Sequence, residues 1–414
     1  LIHGVMGARL HNSATKEEAW PGDLIKIISS DYQDLALKID PTTLLPMSDD
    51  LVAVDVTRKV LGVDYYEEII TTLTDAGRYQ LAKLGQPQQI GTRNLYIFYY
   101  DWRQDNVVSA GKLKKFIAQI RKDHANPALK VDIVAHSIGG LLTRYFLRYG
   151  DSDVLNSSNF PVNLQGTKSV RRSILLGTPN LGSITSLHAF MKGISVGMKT
   201  IAPETLATFP SLYQLFPHAL NDWIVTIDGR PLQRDLFDIN IWRQFQWSIF
   251  NPEIKQAIFS KAPSLGQAHK EFAILERYFA KHLERARRFV WSLTVPLPQD
   301  SYQLIVFGGS CHMTPARLVV EEVNSESKVR LFPSDIRYPL TNIDYQQLML
   351  EPGDGTVTKA SLLAREALNP SVPRHKFSYF AIDYSLFLCE RHDKLPSNPS
   401  FQDNLLHALL NLDE

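Results

Sequence analysis

An α/β fold built on a mostly parallel sheet is what this 414-residue sequence predicts. Three observations carry that expectation. Short β-rich runs alternate with helical patterns, one apolar strand runs straight into a small-residue turn and a helix, and one long aromatic stretch of helical pattern interrupts the alternation. The strand candidates are residues 1–3, 94–100, 130–135, 169–176, 302–307 and 377–382. Between the second and third, Leu113, Phe116, Ile117 and Ile120 recur at helical spacing within 109–124, which marks a crossover helix. From about residue 186 to 300 the rhythm breaks. Trp223, Trp242, Trp247 and Trp291 fall there, and Phe272, Leu275, Phe279 and Leu283 set an apolar stripe on a basic helix over 269–293. The predicted organisation is a core in two parts, 1–185 and 301–414, with a largely helical cap inserted at 186–300.

Bulk properties exclude several classes of function. The chain carries 44 Lys plus Arg against 43 Asp plus Glu, so no global field favours nucleic acid, and none is expected as a partner. At 44% hydrophobic and 21% charged it has the composition of a folded globular protein. Two cysteines, Cys311 and Cys389, are too few for a disulfide scaffold, and a single bridge stays open. No apolar run approaches the roughly 18 residues a membrane span needs. The chain starts Leu-Ile-His-Gly, which reads as the end of a buried strand without an initiator Met and raises the expectation of a truncated or processed N-terminus. The twelve histidines include no HExxH, and no GxxxxGK[ST] occurs, so neither a metal nor a cofactor is expected.

Residues 131–140 read VDIVAHSIGG: an apolar strand, a turn of small residues, then a helix over 141–149. This is the G-x-S-x-G elbow with Ala135 at the first small position, Ser137 at the centre and Gly139 at the last. Small flanks are needed because the serine occupies a strained turn wedged between neighbouring elements. Helix onset after Ser137 also puts the Ile138 backbone amide at the positive end of a helix dipole, where it can stabilise an oxyanion. His136 reads as a packed neighbour of the serine. The predicted class is thereby narrowed to an α/β-hydrolase fold.

In that fold the chain order is serine, acid, histidine. Asp354 lies between two glycines in EPGDGTV (351–357), a turn that frees a carboxylate to orient an imidazole, although an Asx turn gives the same pattern. His392 lies in a loop after the last strand candidate and before a terminal helix with Phe401, Leu405, Leu406 and Leu409 at helical spacing. His375 precedes that strand and His407 sits within the helix, so His392 is the expected general base. Asp383 and Asp393 are fallback acids. A second oxyanion amide is expected in His3-Gly4-Val5-Met6-Gly7, best at Val5 with Met6 one residue away, because glycines let an N–H face the reacting carbonyl.

These residues resemble the lecithin:cholesterol acyltransferase family, which includes lysosomal phospholipase A2 and many bacterial α/β-hydrolases. The matching stretches, in order, are HGVMGARL (3–10), Trp20-Pro21 leading to Leu35-Ala-Leu-Lys38, YYDWR (99–103), AHSIGG (135–140), LGTPNLGS (176–183), PSLYQLFP (210–217), GDGTV (353–357) and His392. The cap outside PSLYQLFP departs from the pattern, and the early cysteine pair of secreted members is missing. The resemblance implies an acyl-enzyme on Ser137 with water or an alcohol as acceptor, the triad Ser137, Asp354 and His392, and an oxyanion amide at Val5. An acyl ester, expected to be a lipid, is the implied substrate, and the aromatic, partly basic cap is suited to transient contact with a lipid surface. An esterase for small soluble, protein-linked or glycan-linked acyl groups stays open, as does a hydrolase-like binding scaffold. Asp101-Trp102-Arg103 reads either as part of an acyl pocket or as a buried pair bracing loops.

Overall fold

The computed structural model describes residues 1–157, 159–219, 221–295, 302–364 and 382–410. Strands Val131–His136, Val170–Leu176, Gln303–Gly309 and Tyr384–Leu388 lie side by side, all parallel. On the free side of Val131–His136, Ile2 bridges Ala135 and Phe98, both in parallel, which extends the sheet by two more positions. Six of the seven residues of Val170–Leu176 are buried. Such near-continuous burial is what a parallel strand covered on both faces requires. With helices packed on it, this sheet is the α/β-hydrolase fold that the sequence predicts.

Two expected strands are shorter than their sequences suggest. Over 94–100 only Asn94–Leu95 forms a strand, paired with Gln80–Leu81, before the bridge at Phe98. The ladder stops at Tyr100 because its amide donates to the His3 imidazole (3.1 Å) instead of to a strand carbonyl. Residues 1–3 likewise pair only around Ile2, whose amide donates to the Val134 carbonyl and whose carbonyl accepts from the His136 amide. The candidate 377–382 lies outside the described residues apart from Ile382, as does His375, and the strand beside Gln303–Gly309 is Tyr384–Leu388.

Helix Asn106–Asp123 is the expected crossover, started by Asp105, whose side chain accepts from the Val107 amide. Helix Ile138–Tyr149 is buried along its whole length. The described residues of segment 186–300 are mostly helical, dominated by Leu265–Ser292, with a short hairpin of Ile194–Val196 and Lys199–Ile201. Its strand Ile224–Thr226 pairs in parallel with Leu318–Val323, across the expected boundary at residue 300. Phe272, Phe279, Leu283 and Phe289 of the long helix share one apolar cluster with Phe190, Phe216 and Trp242 and with the sheet residues Leu175 and Val306. The aromatic stripe read from sequence therefore packs inward.

The segment is also tied by polar contacts to loops beside the sheet. Ser211 Oγ donates to the Trp102 carbonyl (2.6 Å), and Gln214 Oε1 accepts from the Asn106 amide (3.0 Å). Arg103, fully buried, is held by Asp101 and Asp49 at 2.8 Å each and by the Leu35 carbonyl, while Trp102 donates to the Ala8 carbonyl from within the core. Asp101-Trp102-Arg103 thus braces loops, the second of its two readings. Among the described residues no helix is long and apolar enough to cross a membrane.

Candidate active site

Strand Val131–His136 ends at Ser137, which adopts φ 56° and ψ −127° before the helix begins at Ile138. A positive φ is costly for a residue with a side chain, and it persists here because packing on all sides over-determines the turn. Gly4, Gly139 and Gly140 show how tight that packing is. A Cβ on Gly4 would lie 2.8 Å from Ser137 Cβ, one on Gly139 2.6 Å from the His3 carbonyl oxygen, and one on Gly140 1.9 Å from Thr178 Oγ1. The small residues of AHSIGG are thus required by approach of the HGVMG loop on one side and of LGTPNLGS on the other.

Asp354 is buried, with 2% of its surface exposed. One carboxylate oxygen accepts from the amides of Thr356 (2.9 Å) and Val357 (2.6 Å), so the Asx turn read from sequence is present. The other lies 2.8 Å from His392 Nδ1, so the turn and the contact with an imidazole coexist on one side chain. The His392 amide also donates to the Asp354 carbonyl (2.9 Å), fixing backbone to backbone. His392 Nε2 lies 3.0 Å from Ser137 Oγ. A carboxylate only accepts, so Nδ1 carries the imidazole proton and Nε2 is left free to accept from the serine hydroxyl. Burial by itself would lower the His392 pKa, but the charge and hydrogen bond of Asp354, with a smaller push from Asp393, hold it above the ordinary value.

Asp383, the first fallback acid, is engaged elsewhere: its carboxylate accepts from the Leu304 amide (2.6 Å) at the start of the paired strands. Asp393 is half-exposed and paired with Arg391. His136 has both ring nitrogens occupied, by Tyr66 Oη and by the His392 carbonyl, and so does not serve Ser137 as base. His407 is exposed on the helix Pro399–Leu410.

The HGVMG loop turns sharply, with the Gly7 amide on the Gly4 carbonyl (3.1 Å) and Met6 at φ 61°. Among the described residues neither the Val5 nor the Ile138 amide donates to a protein acceptor. Both flank Ser137 in the chain or across the Gly4 contact, and unengaged amides at such a position are what an oxyanion needs. Gly177, at φ 57°, lets the next loop pass within contact of His392: a Cβ there would lie 3.0 Å from Nδ1.

A disulfide joins Cys311 and Cys389, the question that the sequence left open. It links the ends of neighbouring parallel strands, Gln303–Gly309 and Tyr384–Leu388, three residues before His392. Ligand atoms of Cys311, His312 and Cys389 lie within 4.8 Å of one another, but both sulfurs are committed to the disulfide.

A family model described as lecithin:cholesterol acyltransferase matches residues 88–364, more than half of the sequence. The chain belongs to the lecithin:cholesterol acyltransferase family. Membership makes it, in general terms, a lipid-ester acyl hydrolase or acyltransferase. Ser137 and Asp354 fall within the matched span of this family member, and Val5 and His392 lie beyond it. Among curated proteins none matches. Of solved structures, a chain in the crystal structure of the Tle4–Tli4 complex is similar at TM-score 0.60 and 14% identity, covering 99% of this chain and 96% of that one. That likeness concerns the fold. EstA from Clostridium botulinum gives TM-score 0.37 at 12% identity, covering 98% and 84%, and lipase 1 from Pelosinus fermentans gives 0.38 at 12%, covering 100% and 98%.

Proposed function

We propose that this protein is a serine-dependent acyl hydrolase or acyltransferase that forms an acyl-enzyme on Ser137 and acts on lipid esters. One observation carries the reading. A continuous path runs from the Asp354 carboxylate through both nitrogens of His392 to Ser137 Oγ, with contacts of 2.8 and 3.0 Å. In the first half-reaction His392 takes the hydroxyl proton as Ser137 Oγ attacks the ester carbonyl. Asp354 stabilises the imidazolium that forms, and the amides of Val5 and Ile138 receive the negative oxygen. His392 then returns the proton to the departing alcohol. Water or a second alcohol reverses these steps on the acyl-enzyme, so hydrolysis and transfer share one site and differ in the acceptor.

Segment 186–300 is proposed as the cap over this site, supported by its contacts with Trp102 and Asn106. Contact with a lipid surface is proposed at its hairpin tip. Met198 is 83% exposed there, and the preceding Gly197 packs on Ile27 of helix Leu24–Ser29, whose Leu24, Ile25 and Ile28 also face solvent.

The test is acyl release from p-nitrophenyl esters and from phospholipid vesicles, together with covalent labelling by a fluorophosphonate. The expected result is labelling and turnover that vanish in Ser137→Ala. Folded parent protein that neither labels nor turns over either substrate would return the chain to the binding-scaffold reading. A preference for short, soluble esters over vesicles would move the substrate class to small esters.

A further inference from the structure

Tyr66 belongs to no motif, yet it sits at a junction behind the nucleophile. Its hydroxyl accepts from the Gly4 amide (2.8 Å) and lies 2.7 Å from His136 Nδ1. The other nitrogen of His136 lies 3.3 Å from the carbonyl oxygen of His392, and the two imidazoles are 4.9 Å apart. Tyr66, His136 and Gly4 are all buried.

Donor and acceptor counting fixes the direction of this chain. The His392 carbonyl only accepts, so His136 Nε2 carries the proton and Nδ1 is an acceptor. Tyr66 must then donate its hydroxyl proton to Nδ1 and accept from Gly4 through a lone pair. The path runs one way, from the Gly4 N–H through the Tyr66 O–H and the His136 Nε2–H to the His392 carbonyl. Burial, followed by the nearby charges of His392 and His3, holds His136 well below the ordinary imidazole pKa, which keeps Nδ1 open as the acceptor the path needs.

We propose that Tyr66 and His136 form a positioning pair that couples the oxyanion loop at Gly4 and Val5 to the backbone of the base His392, setting the two halves of the site on either side of Ser137. Neither residue touches the reacting atoms. The pair acts because the donor from the loop and the imidazole from the far end of the chain are carried by segments with nearly 390 residues between them, about the length of the sequence. The sheet anchors each separately, through Ile2 on one side and through the Asp354 carbonyl on the other, and the pair adds a direct bonded link between them; misplacement by about 1 Å can cost on the order of a hundredfold in rate. This rests on the acyl-enzyme proposed at Ser137.

The experiment compares steady-state hydrolysis of p-nitrophenyl butyrate and the rate of fluorophosphonate labelling in the parent, Tyr66→Phe, His136→Asn and His136→Gln, each corrected for active sites by labelling end point. Tyr66→Phe keeps the ring and removes both bonds of the hydroxyl. It is expected to lower kcat and the labelling rate together, roughly ten- to a hundredfold, while KM stays within about twofold. His136→Asn retains an acceptor toward Tyr66 and drops the bond to His392, and His136→Gln can reach the His392 carbonyl and loses Tyr66. Each is expected to fall at least about fivefold in kcat, because either cut breaks the path.

A merely structural role would lower the melting temperature without changing kcat per active site. Folded Tyr66→Phe at parental kcat overturns the proposal, and if that variant does not fold, either His136 variant at parental kcat does so. Labelling that persists in Ser137→Ala would remove the catalytic reading and this one with it. Labelling that requires Ser137 with unchanged turnover in Tyr66→Phe removes this one alone.

Discussion

Replacing Asp354 by Asn tests the proposed chemistry with little change of shape. The Asn carbonyl can keep the bonds that Oδ1 accepts from Thr356 and Val357, so the Asx turn survives. The amide nitrogen then faces His392 Nδ1, which lies 2.8 Å from the carboxylate in the parent. An NH2 group only donates, so Nδ1 must become the acceptor and the imidazole proton moves to Nε2. Nε2 lies 3.0 Å from Ser137 Oγ and, once protonated, cannot take the serine proton. In other serine triads this inversion of tautomer costs about 10⁴-fold in kcat, which at 1.36 kcal/mol per tenfold is about 5.4 kcal/mol of lost transition-state stabilisation. The assay is kcat/KM with p-nitrophenyl butyrate above neutral pH, with a thermal melt as the fold control. A folded Asp354→Asn variant that loses less than about tenfold would refute the claim that Asp354 holds the working tautomer of His392.

Further outcomes follow from the same geometry. The base must be neutral to act, and because Asp354 holds the His392 pKa above its ordinary value, the acid limb of kcat/KM is expected to lie above about pH 6.5; a limb below that value, read from the pH–rate profile, would contradict the assigned partner. Burial depresses the pKa of His3, His188 and His282 to about 4, so the unfolded chain binds protons first as pH falls. Stability from these groups is present above pH 6.5 and lost between there and about 4, by about 3 kcal/mol for any one of them, and melting temperature against pH should fall through that window. Reduction of Cys311–Cys389, which closes a loop with sequence separation 78, is expected to cost roughly 4 kcal/mol, visible as a lower melting temperature in dithiothreitol. Gly140→Ala would put a methyl 1.9 Å from Thr178 Oγ1 and is expected to destabilise by about 1–3 kcal/mol or more. Adding Thr178→Gly should recover part of that loss in a denaturation series, and simple additivity would speak against the contact.

Much of this protein was legible because its signals are local. The alternation of strand and helix patterns announced the parallel sheet, since strands covered on both faces must be apolar and crossovers must be helical. The sequence VDIVAHSIGG located the strained turn at Ser137 because steric demands there fall on its own neighbours. The order of Asp354 and His392 behind it followed from the way this fold threads its sheet. Pairing at a distance was decided only in three dimensions. Nothing near Tyr100 says that its amide meets the His3 imidazole and ends a strand, and nothing near Tyr66 says that Gly4 and His136 converge on its hydroxyl. The bond between Cys311 and Cys389 depends on two strands becoming neighbours, and Gly140 is required by a side chain from Thr178. The sequence by itself determined the central strands, the crossover helix and the strained turn at Ser137, and it nominated the candidate residues of the site, because propensity, patterning and turn sterics act within a few residues. The tertiary structure alone decided partners, because hydrogen-bond and packing complementarity act between whatever surfaces the fold brings together.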